Sequence, residues 1–417
     1  MPSVGKPMTR VAIAGGGIAG LALALNLHKR GIDCRVFEAA PEVRELGVGI
    51  TLLPHAMREL TALGLQDQLR SIAIENTESA FFNRFGQRIY GEARGVHAGY
   101  AYPELGIHRG KLHTVLYRAA LEQLGADRIL TGRRALRVEQ DEVGATLHLQ
   151  ESITGAAAEP VRAEVVIACD GVNSTIRKQF YPDETVAFTG INTWRGVTRR
   201  KPILGGRTYM RIGSLTHAKL VVYPIIDDID GTGDQLINWT AEVQTTGDVI
   251  NDWNKPGDLK DLLPYYADWK FDWLDVPALF RASEIIFEYP MVDKDPVARW
   301  TFGRTTFVGD AAHPMYPRGS NGSAQALIDA RTLADLLATD MAPKAALKAY
   351  EAARLEPTAK VVRTNRSNPP DVINIRVEEL TGDRPFENLD SVISQDELRA
   401  LSDHYKRVAG FALQDLR

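Results

Sequence analysis

Arg10 to Ala14 (RVAIA) is an unbroken apolar run, the pattern of a strand buried on both faces. It leads into Gly15-Gly16-Gly17-Ile18-Ala19-Gly20. Leu21 to Lys29 then places apolar residues on nearly every face, as a helix packed on a sheet does. Gly31 supplies a stop, and Cys34 to Phe37 predicts a second strand ending at Glu38. Two later apolar runs also end in small-residue turns. Ala163 to Ala168 (AEVVIA) precedes Cys169-Asp170-Gly171, and Thr305 to Val308 (TTFV) precedes Gly309-Asp310. A helical stripe of Leu327, Ala330, Ala334 and Leu337 follows from Ser323. From about Ser79 to Gly106 and about Ala187 to Tyr289 the rhythm changes to short or alternating runs, such as Lys219 to Tyr223 and Ile237 to Ala241. These predict a mostly antiparallel sheet inserted into an α/β unit. Beyond Pro343 the pattern is helical, with a kink or break expected at Pro357 and a loop at Asn368-Pro369-Pro370 before a last helical region.

Composition narrows the function. At 417 residues the chain is too long for one core and predicts two domains plus an appendage. A formal net charge of −4, with no Lys/Arg-rich run, excludes a nucleic-acid footprint. No stretch has the roughly 20 apolar residues of a membrane span, and Met1 to Met8 lacks the apolar segment of a signal peptide. The 2 cysteines, Cys34 and Cys169, lie in or beside strand-like runs and predict buried thiols in a reducing cytoplasm. The 9 histidines show no metal-ligand spacing, so no metal site is expected.

The first strand, turn and helix carry a specific physical meaning. In GxGxxG, Gly15 permits the tight turn and Gly17 lets the backbone approach a pyrophosphate. Gly20 lets helix and strand pack closely, and the helix N-terminus offers free N–H groups and a positive dipole end. Glu38, about twenty residues on, is placed to accept from ribose hydroxyls. This unit predicts dinucleotide binding but does not separate NAD from FAD.

The later turns separate them. Asp170-Gly171-Val172-Asn173-Ser174-Thr175-Ile176-Arg177 reads DGxxSxxR, and Gly309-Asp310-Ala311-Ala312-His313-Pro314 opens a GDAAH segment running through Pro317. With GxGxxG, in this order, the set resembles the FAD-dependent aromatic hydroxylases of the p-hydroxybenzoate hydroxylase fold, over most of the chain. The segments Glu38 to Ile50, His108 to Gly110, Trp194 to Gly196, Tyr289 to Asp293 and Pro317 to Gln325 are most similar to the phenazine-carboxylate branch of that family. The resemblance implies a Rossmann-like FAD-binding domain of the glutathione-reductase type from residues 1–78, 107–186 and 290–340. It implies a substrate domain from 79–106 and 187–289, and a C-terminal helical region from 341–417.

It also implies roles. Gly15, Gly17 and Gly20 would take the pyrophosphate and Glu38 the ribose. Val48 and Gly49 would pass the flavin ring, and Arg109 would reach the phosphate or ribityl region. Asp310 would bind a ribityl hydroxyl. Asp170 would support the cofactors indirectly, or form a structural ion pair with Arg177. One departure stands out: relatives carry GxGxNxA where this chain has Gly319-Ser320-Asn321-Gly322-Ser323-Ala324, so Ala324 occupies the usual asparagine position. Backbone donors at Gly322, Ser323 and Ala324 are still expected at the flavin's pyrimidine edge. In the family, NADH or NADPH reduces the flavin transiently, O2 adds at C4a, and the hydroperoxide oxygenates a small aromatic or N-heteroaromatic substrate. The Pro317 carbonyl would lie beside that substrate, in a mostly apolar pocket with few charged groups. Tyr209, Tyr223 and Trp239 are its candidate lining. No acid–base dyad is required, and no nucleophile motif is present. A monomer or homodimer is expected. A flavin dehydrogenase or reductase of the same fold and a non-catalytic FAD-sequestering protein are the alternatives; substrate-dependent oxygen uptake separates both from a hydroxylase.

Overall fold

The computed structural model describes residues 8–45, 47–245, 255–367 and 371–416; the loop expected at 368–370 lies outside them. The strand Thr9–Ala14 sits inside a seven-stranded sheet, with parallel neighbours Cys34–Phe37 on one side and Ala157–Ala168 on the other. Burial on both faces explains why its residues do not alternate. Thr305–Phe307 pairs in parallel with the far edge of Ala157–Ala168. The register aligns Ala14 with Phe37 and Ala168, and Ala168 with Phe307. The turns at Gly15, Cys169 and Val308 therefore leave the sheet side by side, at the carboxyl ends of the strands, where ligands bind in open α/β sheets.

The helix Ile18–Lys29 is buried continuously from Gly20 to Leu27, as its all-round apolar pattern requires. It packs on the sheet and against the helix Gly322–Leu337, whose expected stripe of Leu327, Ala330, Ala334 and Leu337 is fully buried. Each such leucine contributes ~1.5–3 kcal/mol of burial. A Cβ on Gly20 would land on the Gly15 carbonyl oxygen, so glycine there is a condition of the strand–helix contact.

The alternating segments form an eight-stranded sheet. Its strands pair antiparallel, except that Glu78–Phe82 lies parallel to Thr208–Ser214. One face carries Met210, Ile212, Leu220, Val222 and Trp239 against the helices Leu259–Tyr266 and Val276–Arg281. The opposite face carries Tyr209, Val221 and Tyr223 and looks toward the small sheet of Gly49–Leu52, Leu105–His108 and Ile74–Glu75. Cys34 and Cys169 are buried free thiols.

The helix Pro343–Ser367 runs on through Pro357, so the expected break does not occur. Proline removes the bond to the Ala353 carbonyl, but Ala353 and Pro357 are both exposed, so the freed oxygen lies on the solvent side of the helix. The helices Val372–Thr381 and Gln395–Ala409 then close over the outer strands, packing Ile373, Val377 and Leu398 on Phe81, Ile89 and Tyr90. No helix of the described residues is long and apolar enough to cross a membrane.

Candidate active site

The three sequence turns converge physically. Gly15 adopts φ +104°, and a Cβ there would press on the Cys169 carbonyl, joining the first turn to the second. Arg177, fully buried, donates from Nη1 to the carbonyls of Ala311 (3.0 Å) and Ala312 (2.7 Å), joining the second turn to the third. Gly309 closes the triangle. A Cβ on it would come 3.0 Å from Ala19 and 3.2 Å from Ala326, one on each flanking helix.

This geometry corrects one expectation. Arg177 does not pair with Asp170; its Nε donates to Glu184 at 2.8 Å. The Asp170 carboxylate instead accepts from the Thr175 N–H at 2.9 Å and the Thr175 hydroxyl at 3.3 Å, fixing the turn into Thr175–Phe180. Its other oxygen is buried without a hydrogen-bond partner among the described residues, and burial raises its pKa.

Around the convergence lie the expected cofactor residues. Beyond its own turn and helix, no described atom lies within 4 Å of a Cβ built on Gly17, so the turn's outer surface is open to a large group. Glu38 lies across it, accepting from the N–H groups of Gly16 and Ala40, each at 2.6 Å. Val48 accepts from the Arg109 N–H at 3.0 Å, which sets the loop beside the exposed Arg109 side chain. Asp310 is exposed, and its Oδ1 lies 4.0 Å from a Cβ built on Gly322, at the helix start. At that start Asn321 makes no side-chain cap, which leaves the N–H groups of Gly322, Ser323 and Ala324 for an external acceptor. An open pyrophosphate turn, an acidic residue beyond it and an uncapped helix end fit an extended FAD.

Three polar supports, Asn238 and Asp329 buried and His113 half-buried, were not legible in the sequence. Asn238 accepts from the Gly49 N–H at 2.7 Å and leaves no room for a side chain on Gly49. His113 bonds the Gly16 carbonyl through Nε2 at 2.6 Å. Asp329 accepts from the Gly309 N–H at 3.2 Å and pairs with His313 at 2.5 Å and Arg354 at 2.7 Å. Burial alone would raise Asp329, but His313 and Arg354 hold its pKa below the usual carboxylate value.

The substrate-facing sheet brings a second correction. Tyr209 and Tyr223 share one face, with ring centroids 4.9 Å apart. Trp239 points the other way: it packs on Phe280 and donates to Ser283 Oγ at 2.8 Å. Tyr223 is opposite Asn238 in the register, so alternation puts Asn238, not Trp239, on the inner face. Nor is that face poor in charge. Arg195, Arg211, Lys219 and Glu242 share it by register, and Arg318 and Asp371 approach it from the loop after Pro317 and from the start of Val372–Thr381. Lys219 pairs with both Glu242 (3.0 Å) and Asp371 (2.7 Å). Pro317 itself is exposed and opens the turn in which Gly319 and Ser320 adopt φ +73° and +56°.

Comparison with known proteins agrees with this geometry. The family model described as an FAD binding domain matches residues 8–203 and 289–365. The chain is 42% identical to phenazine 1,6-dicarboxylic acid hydroxylase PhzS of Lysobacter antibioticus over 366 residues, covering 86% of this chain and 89% of that one. It is 30% identical to 3-hydroxybenzoate 6-hydroxylase of Polaromonas naphthalenivorans (strain CJ2), over 85% of this chain and 86% of that one. Among solved structures, Klebsiella pneumoniae HpxO complexed with FAD and uric acid superposes with a TM-score of 0.75 at 22% identity, covering 98% and 96% of the two chains. A salicylate hydroxylase substrate complex gives 0.74 at 21% identity, over 98% and 97%. At those identities the structures speak for the fold alone. Three turns gathered at one sheet edge, the family match and the 42% relative together make this chain a member of the FAD-dependent aromatic hydroxylases.

Proposed function

We propose that this chain uses NADH or NADPH, FAD and O2 to hydroxylate an aromatic or N-heteroaromatic carboxylate, with phenazine carboxylates the leading class. The observation that carries the reading is the charge of the inner sheet face. The four cations there, Arg195, Arg211, Lys219 and Arg318, face only two carboxylates, Glu242 and Asp371, and Lys219 engages both. No ion pair joins Arg195, Arg211 or Arg318 to an acidic residue among the described residues. Nε of Arg195 and both Nε and Nη2 of Arg318 are buried without a hydrogen-bond partner. Arg211 is held between rings, 4.4 Å from the centroid of Tyr209 and 5.0 Å from that of Phe81. A guanidinium out of water needs an anion to offset its desolvation, and a planar carboxylate matches its fork. The 42% relative is named for a phenazine dicarboxylic acid, which has this chemistry.

FAD, when bound, supplies the oxygen-transfer chemistry. In this reading Gly15, Gly17 and Gly20 hold its pyrophosphate and Glu38 its ribose. Asp310 and Arg109 hold the ribityl and phosphate region, and Val48 and Gly49 flank the ring. The N–H groups of Gly322, Ser323 and Ala324 face the pyrimidine edge, where negative charge develops on reduction. Tyr209, Tyr223 and the Pro317 carbonyl orient the substrate, while the C-terminal helices exclude water from it. The test measures NAD(P)H oxidation and oxygen uptake together over phenazine carboxylates, hydroxybenzoates, hydroxynicotinates and the uncharged parent rings. Stimulation by the carboxylates with oxygenated product supports the proposal; equal stimulation by the uncharged rings refutes it.

A further inference from the structure

Arg94 follows the strand Arg88–Ala93 and is 7% exposed, yet its guanidinium is poorly engaged. Its Nε is buried without a hydrogen-bond partner among the described residues. The nearest carboxylate oxygens belong to Glu92, 3.5 Å from Nη1, and Glu104, 3.6 Å from Nε. Those separations balance the charge but are too long to fill the N–H positions of a guanidinium. The side chain lines a partly open cavity of about 340 Å³ between the edge of the eight-stranded sheet and the helix Gln395–Ala409. That helix lies beyond the family-model match, which ends at residue 365. Among the described residues, three cations share the cavity wall, Arg94, Arg211 and Lys406, against the one carboxylate of Glu92. Lys406 already donates to that carboxylate at 2.7 Å. Phe81 and Tyr405 add ring surface; the Tyr405 hydroxyl is itself engaged, accepting from Asn321 Nδ2 at 2.9 Å. An anion borne on a flat ring suits such a wall.

Arg211 joins this cavity to the inner sheet face. The register sets Arg195, Thr240, Val221 and Arg211 in one cross-strand row. Three strand spacings of about 4.8 Å put the two arginines about 14 Å apart along it. Thr240 and Val221 form the floor between them, with the stacked rings of Tyr209 and Tyr223 alongside. A single carboxylate reaches one end of the row. A long planar ring system with carboxylates at opposite ends reaches both. We propose that the chain anchors an aromatic dicarboxylate twice: Arg195 takes one carboxylate, and Arg211 with Arg94 takes the other in the cavity beside Gln395–Ala409. The inference rests on the reading of the inner face as the site of an aromatic carboxylate.

Equilibrium titration of the FAD-loaded enzyme with phenazine 1,6-dicarboxylate and with phenazine 1-carboxylate tests it. The wild type binds the dicarboxylate about tenfold or more tighter, the scale of one charge-assisted bond. Arg94→Gln removes that preference and leaves the dissociation constant and turnover of the monocarboxylate unchanged. Arg94→Lys keeps a cation beside Glu92 and Glu104, which guards against misfolding, and loses only the planar fork. It too weakens the dicarboxylate alone. Retention of the preference in both variants overturns the proposal, and so does an equal loss of affinity for the two compounds. If the wild type binds the monocarboxylate and the dicarboxylate no tighter, the second anchor alone falls. If neither compound binds, the reading of the inner face falls with it.

Discussion

Lowering the pH from neutrality destabilises this fold through His55. The imidazole is fully buried on the helix Pro54–Ala62 and stacked on Phe411, with ring centroids 5.0 Å apart and planes 11° from parallel. Burial pushes its pKa down to about 3; the Asn321 hydrogen bond opposes this, and Arg58 and Arg354 add to it. In the unfolded chain the ring titrates near about 6.5. Below that value the unfolded chain takes up a proton that the folded chain refuses, so stability is constant above it and falls as pH falls toward 3. At about 1.36 kcal/mol per pH unit, the loss is ~2 kcal/mol at pH 5 and levels off at ~4 kcal/mol near pH 3, where the folded ring begins to protonate. His55→Gln keeps a donor for Asn321 Oδ1 but cannot titrate. Urea unfolding of the two apoproteins at pH 7.5 and pH 5 isolates the effect, because the other titrations cancel in the difference. The wild type loses ~2 kcal/mol relative to His55→Gln on acidification. Parallel pH dependences refute the reasoning.

Arg177→Ala leaves the carbonyls of Ala311 and Ala312 without their buried donor and Glu184 with Lys294 alone. Loss of one partner from such a buried network costs ~3–5 kcal/mol. Thermal unfolding and FAD retention both fall; a variant of wild-type stability contradicts this role. Arg195→Gln raises KM for carboxylated aromatics about tenfold or more, the scale of a lost charge-assisted bond. It leaves the FAD dissociation constant and the turnover of uncharged rings unchanged. Steady-state kinetics on matched charged and uncharged substrates check it, and an equal KM change for both contradicts it.

The dinucleotide unit was legible because its demands are largely local: Gly15 is set by its own positive φ and Gly20 by its contact with the Gly15 carbonyl, and the spacing states both. The inserted sheet was legible as alternation, but its orientation was not. The helices Leu259–Tyr266 and Val276–Arg281 cover its back, so both faces are buried and Trp239 fits either by hydrophobicity. The signal that was available is parity: Arg195, Arg211, Lys219 and Glu242 share a face with Tyr223 through strand register, and that density of buried charge marks the face as the candidate site. In sequence, Arg177 had only Asp170 as an expected partner; a backbone N–H captures Asp170, and the guanidinium turns to Glu184 instead. Asn238, Asp329 and Tyr405 act across 189, 20 and 84 residues of chain, and no local pattern announces such partners.

The central claim is that three separated turns make one FAD cradle, and the visible spectrum of the purified protein tests it most directly. The wild type is yellow and holds FAD in stoichiometric amount, whereas Asp310→Ala, folded by circular dichroism, is colourless. A wild type that stays colourless with added FAD, or an Asp310→Ala variant fully loaded with it, contradicts the claim.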